Sequence, residues 1–207
     1  MSNVHGGTSV NGETDLWVWR HPRPQGAAGR CIGRTDLPVD PRRAKRLAHH
    51  IRQTARRHGL PHRVCTSHLR RSADVGRWLR RWGWQHRADP ALSEIDFGRW
   101  DGRPWSAIAQ QEVDDWCADF LHHKPGGGEC LREMFERVQA ASAALRADAG
   151  SGPWLIVSHG GWMLACAWLA TGEPWPTSAN EWPAPPGYGA HMRLHASACA
   201  NGHEASS

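Results

Sequence analysis

Two short apolar runs that end in reactive polar residues constrain this chain more than any other feature. Leu16-Trp17-Val18-Trp19 leads into Arg20-His21, and Trp154-Leu155-Ile156-Val157 leads into Ser158-His159-Gly160-Gly161. A buried strand that delivers a polar residue at its carboxyl end is how an α/β protein builds a site along one edge of its sheet. Two such strands bring two imidazoles toward one pocket. The arginine beside the first implies that the pocket receives an anion.

The rest of the pattern fits that architecture. Strands are expected at 16–20, 63–66, 85–88, 154–158 and 190–195, and helices at 41–58, 70–82, 104–122, 131–147 and 161–170. Asp40 before Pro41 is an N-cap acceptor followed by proline at the first helical position, and Gly59 closes the same helix. Ser67 stands close enough to cap the second helix, and Gly126-Gly127-Gly128-Glu129 opens the fourth. Strands alternating with helices predict a three-layer α/β/α sandwich with a mostly parallel sheet over residues 15–195. The polar, Gly-rich stretch 1–14 and the tail 196–207 are expected to be disordered. The Pro-rich stretch 173–187 reads as a surface loop before a last edge strand.

Composition narrows the function. The 207 residues, 40% of them hydrophobic, suit one soluble domain. No apolar run approaches the roughly 20 residues of a membrane span, and no signal-peptide core is present, so a cytoplasmic protein is expected. Six scattered cysteines without a CxxC pair read as free thiols. The pairs His49-His50 and His122-His123 point about 100° apart on a helix and belong to solvent, so no metal site is expected. The net charge is +5, but the arginines recur at helical spacing among Leu, Ile and Trp. Solvated helix faces explain them without a nucleic-acid partner. Most of the thirteen tryptophans read as core, a few as pocket lining. Homodimerisation stays open.

Four segments carry the chemistry: Arg20 to Pro24, Thr66 to Ala73, Leu92 to Gly102 and Val157 to Gly161. Each sets a charged or nucleophilic residue at or just after an expected strand end. Together they suit phosphoryl transfer through a covalent histidine intermediate. His21 would attack phosphorus with one ring nitrogen while a hydrogen bond fixes the other. Arg20, Arg71 and a protonated His159 would surround the phosphoryl oxygens. Glu94 would give a proton to the leaving alkoxide and take one from the attacking water. With that much positive charge no metal or other cofactor is needed.

These segments, in this order, resemble the histidine phosphatase superfamily, the phosphoglycerate mutase-like enzymes. The family's Arg-His-Gly reads Arg20-His21-Pro22. Its Ser-x-Leu-x-Arg-Ala reads Ser67-His68-Leu69-Arg70-Arg71-Ser72, which selects Arg71 over Arg70. Its acidic motif is matched through Glu94, Gly98, Trp100 and Gly102, and Ser158-His159-Gly160-Gly161 is intact. The resemblance implies metal-independent hydrolysis of a small sugar- or nucleotide-like phosphate. Arg20 to Pro24, Cys31 to Pro38 and Pro125 to Glu129 are similar to alpha-ribazole phosphatases, which act in cobalamin assembly. Arg23, Arg30, Arg34, Thr35, Glu129 and Gly160 are the candidate substrate contacts. Pro22 removes a backbone N–H that the family's glycine offers, a loss that Arg23 or Arg30 would offset. Cys130 stands where the family has serine, which weakens a helix cap. A phosphoglycerate mutase is the first alternative, although the segment 107–128 is shorter than in such mutases. A non-catalytic phospholigand-binding module is the second.

Overall fold

The computed structural model describes residues 15–150 and 152–195, so the expected leader and tail lie outside the described residues. The elements run β1 (Leu16–Arg20), α1 (Pro41–His58), β2 (Arg63–Thr66), α2 (Arg70–Arg81), β3 (Gln85–Ala88), α3 (Gln110–Ala118), α4 (Leu131–Ala147), β4 (Leu155–Ser158), α5 (Gly160–Thr171) and β5 (His191–Leu194). They form one sheet in the order β3-β2-β4-β1-β5. Only β5 runs antiparallel, paired with β1 at the edge.

The apolar strand runs are explained by burial on both faces of the sheet. Successive side chains of a strand alternate between faces. Leu16, Val18, Cys65 and Ile156 pack with Met134, Phe135, Val138 and Met163 of α4 and α5. Trp17, Trp19, Val64, Leu155 and Val157 pack with Leu47, Ile51, Val75 and Leu79 of α1 and α2. These two cores make the three layers.

The helices follow their local chemistry. Asp40 Oδ1 accepts from Arg42 N at 2.8 Å, and Gly59 ends α1 at φ 63°. Helix α1 buries Ala44, Leu47, Ala48, Ile51 and Ala55 and leaves Arg42, Arg43, Arg46, Arg52 and Arg56 exposed, the solvated face its spacing predicts. Burying Ile51 is worth about 1.5–3 kcal/mol. Helix α5 has no polar face at its start, since Trp162 to Cys166 are all buried between the sheet and α4.

The third helix differs from expectation. Residues 104–122 are not one helix: Trp105–Ala107 form a 3-10 turn, Ala109 is extended, and α3 covers only Gln110–Ala118. Local bonds explain the break. Pro104 bridges to Arg30, and Trp105 N donates to Gly29 O at 3.0 Å.

Candidate active site

Strand register brings the two motifs together. Arg20 pairs with Ser158 across β1 and β4, and His21 N donates to Ser158 O at 2.9 Å. The His21 and His159 rings therefore stand side by side, 4.8 Å between centroids. At the end of β2, Ser67 N donates to Val157 O at 3.2 Å, which adds a third strand end to the same sheet edge.

His21 is 4% exposed, and its Nδ1 lies 2.7 Å from Pro22 O. A carbonyl only accepts, so Nδ1 carries the proton and Nε2 keeps its lone pair. Burial, then Arg71 and Arg20, hold the His21 pKa well below 6.5, opposed by the Pro22 carbonyl. The ring is neutral at pH 7. Proline at position 22 thus costs nothing at this contact, because the contact uses only its carbonyl.

Arg71, 1% exposed, is fixed by all three guanidinium nitrogens. Nε donates to His159 Nδ1 at 3.2 Å, one terminal nitrogen to Thr35 O at 2.6 Å, and the other to Gly33 O. An arginine Nε always carries its proton, so His159 Nδ1 is the acceptor. His159 Nε2 then carries hydrogen and donates to Ser67 Oγ at 2.7 Å. Burial, then Arg71 and His21, lower the His159 pKa well below 6.5. In the phosphate-free site His159 is therefore neutral: a buried imidazole among cationic arginines and beside a second histidine does not hold an extra proton. Ser67 also departs from its expected role. Its Oγ serves His159 and accepts from Leu69 N at 3.3 Å, and α2 starts without a side-chain cap.

Asp101 builds the floor under Arg71. It accepts from Gly33 N at 3.2 Å, Thr35 N at 2.9 Å, Arg34 N and Thr35 Oγ1. That single carboxylate sets the loop whose carbonyls hold the arginine.

Glu94 sits at the start of α5. Its Oε2 accepts from Gly161 N and its Oε1 from Ile95 N, both at 3.1 Å. At both glycines an added Cβ would crowd the site. A Cβ at Gly161 would lie 2.3 Å from Glu94 Oε1, and one at Gly160 would lie 2.8 Å from Pro185 Cβ and 3.2 Å from Arg20 Cζ. Arg20 donates to Pro186 O at 2.5 Å and stacks on Tyr188, 4.1 Å from its ring centre. Arg137 donates to Ser93 O and Ala91 O, both at 2.9 Å, which anchors the chain just before Glu94.

The remaining candidates divide. Thr35 supports Arg71, and Gly160 lies against Arg20. Glu129 is paired at 2.7 Å by both Arg137 Nε and a terminal nitrogen, with Arg34 3.9 Å away. Arg30 donates to Gly102 O at 2.8 Å, and Arg23 lines a separate basic groove with Arg43, Arg46 and His50. At position 130, Glu133 Oε2 accepts from Cys130 N at 3.1 Å, so the start of α4 keeps a side-chain acceptor. Burial pushes the Cys31 thiol up to about 12, so it does not compete as a nucleophile.

Sequence reasoning missed Asp101, Arg137 and Tyr188 as contributors, and Ser67 in its real role. Asp101 alone carried a signal, since it lies inside the acidic motif. Beside Glu94 lies a cavity of about 320 Å³, walled largely by aromatic and aliphatic side chains.

A mostly parallel sheet that gathers two arginines and two histidines near its carboxyl edge is a frame suited to phosphoryl transfer. The model of the histidine phosphatase superfamily (branch 1) matches residues 16–184, and the chain belongs to that superfamily. It is 33% identical over 154 residues to the probable phosphoglycerate mutase GpmB of Klebsiella pneumoniae, covering 70% of this chain and 69% of that one. Its fold resembles a mycobacterial glucosyl-3-phosphoglycerate phosphatase, with TM-score 0.71, 25% identity and coverage of 87% and 92%. It also resembles the alpha-ribazole phosphatase from Shigella flexneri in fold, with TM-score 0.68, 24% identity and coverage of 87% and 89%. Among the described residues, no helix is long and apolar enough to cross a membrane.

Proposed function

We propose that the chain is a phosphomonoesterase that works through a phosphohistidine on His21. One observation carries this reading: Nδ1 of a buried, neutral His21 is tied to Pro22 O, which leaves the Nε2 lone pair free beside Arg71 and His159. Nε2 attacks phosphorus, the bond to the leaving oxygen breaks, and Glu94 delivers a proton to that oxygen. Water then attacks the phosphohistidine, Glu94 takes the proton, and the N–P bond breaks to restore Nε2 and release phosphate. Arg20 and Arg71 offset the charge on the equatorial oxygens. The arriving phosphate raises the proton affinity of His159, which charges only then. No step calls for a metal.

The leading substrate is alpha-ribazole 5′-phosphate, supported by the motifs from Arg20 to Pro24, Cys31 to Pro38 and Pro125 to Glu129. The test is phosphate release in EDTA from this ester and from an aryl phosphate, with His21→Ala alongside. Release is expected to prefer the ribazole ester and to fall by at least about 10⁴-fold in the variant. Equal release by His21→Ala would overturn the mechanism. Turnover of the aryl ester alone would remove the cobalamin assignment.

The name carried by GpmB favours a second reading, phosphoglycerate mutase. Rapid interconversion of 2- and 3-phosphoglycerate in the presence of 2,3-bisphosphoglycerate would establish it over hydrolysis.

A further inference from the structure

The cavity beside Glu94 bears on the substrate's alcohol portion, and its interpretation rests on the phosphomonoesterase reading above. Its walls come from the segment after β3, from α3, α4 and α5, and from the loop before β5, with Phe97, Trp116, Phe120, Met134 and Trp182 prominent. Gly161, whose N–H holds the Glu94 carboxylate, also lines it. Glu94, the proton donor of the proposed reaction, therefore faces this cavity.

Its chemistry is one-sided. Glu94 is the only titratable side chain among its lining residues. The basic groove of Arg23, Arg43, Arg46 and His50 is a different cavity, lined by Pro22 and Tyr188. An anionic group placed among these aromatic walls would lose its hydration, gain no cationic partner and face the Glu94 carboxylate. An uncharged ring gains instead. Phe97 and Trp116 meet edge to face at 6.0 Å, and Trp116 and Phe120 lie 5.4 Å apart, surfaces that suit a further aromatic ring. The volume lies at the lower end of the range for small-ligand sites.

We propose that this cavity holds the alcohol portion of the substrate and selects phosphate esters in which that portion carries an uncharged aromatic ring system, against esters in which it carries a second anionic group. Trp182 is a specificity-determining residue for that choice. Of the candidates above, alpha-ribazole 5′-phosphate fits the description and the phosphoglycerates do not.

The test compares 2-phenylethyl phosphate, ethyl phosphate and 3-phosphoglycerate, all alkyl esters, so that ring and charge vary rather than the leaving-oxygen type. The kcat/KM for the phenylethyl ester is expected to exceed that for ethyl phosphate at least tenfold and that for 3-phosphoglycerate at least a hundredfold. Trp182→Ala is expected to raise KM for the phenylethyl ester about tenfold with kcat within threefold. Trp182→Arg is expected to narrow the gap to 3-phosphoglycerate. Binding of 2-phenylethylphosphonate and ethylphosphonate, read by tryptophan fluorescence, separates this inference from the catalytic reading. Tighter binding of the aromatic phosphonate without turnover of any ester would sink the phosphatase mechanism and keep the cavity assignment. Equal binding of the two phosphonates, equal use of the phenylethyl and ethyl esters, or a preference for 3-phosphoglycerate would overturn it.

Discussion

The two ends of the site are held by different forces. At the phosphate end Arg71, His159 and the loop beneath them are fixed by directed bonds. Arg71 spends its three nitrogens on His159, Thr35 and Gly33, His159 spends its second nitrogen on Ser67, and Asp101 pins the loop beneath. At the alcohol end the walls are aromatic and aliphatic, and contact is non-directional. The contrast teaches where a single change acts. A directed network loses function when one partner shifts, whereas an apolar wall tolerates exchange at constant volume and resets preference instead.

The largest effect is expected from Gly161→Ala. The added methyl occupies space 2.3 Å from Glu94 Oε1 and displaces the carboxylate. The expected loss in kcat is about 10²- to 10⁴-fold, the worth of a positioned acid–base group. Unfolding in urea should change by no more than about 1 kcal/mol, because alanine suits a helix better than glycine. Full activity in this variant would remove Glu94 from the mechanism.

Asp101→Asn sharpens the same contrast from a distance. It weakens the clamp on Gly33, Arg34 and Thr35 and lets Arg71 drift. We expect kcat to fall about tenfold for every ester alike, with a loss of about 1–3 kcal/mol in stability. A change in preference among esters, rather than a uniform fall, would contradict the division between the two ends.

The smallest effect is in pH. The pKa values of His21 and His159 are depressed in the folded protein below the ordinary 6.5. The unfolded chain therefore binds protons that the folded one refuses. Their contribution to stability is present above pH 6.5 and is lost as pH falls below it toward the folded values. The acid limb of kcat/KM should accordingly lie below pH 6.5, where His21 finally loses its lone pair. A limb above that value, measured on esters whose alcohol portion is uncharged, would mean that His21 is not held neutral.

Strands β1 and β4 were legible because they are continuous apolar runs that end in polar residues, Leu16 to Trp19 and Leu155 to Val157. The four motifs were legible because each sits at a strand end. The stretch around α3 was less so, since the tie of Pro104 to Arg30 and of Trp105 to Gly29 is tertiary and leaves no local mark. Arg137 was invisible for the same reason: at helical spacing on α4 it reads like any solvated arginine until its carbonyl partners are seen. The protonation of His159 turned on burial and on the Arg71 Nε contact, neither of which a sequence states.

The position of β4 has a consequence for how the chain comes into being. This strand is fourth in sequence but third in the sheet, inserted between β2 and β1. Until residues 155–158 leave the ribosome, β1 and β2 have no strand to join them and the carboxyl edge lacks its second histidine. At roughly 5–20 residues per second the nascent chain spends seconds with those apolar edges unpaired. That interval, rather than the finished enzyme, is when pairing with another copy competes with folding.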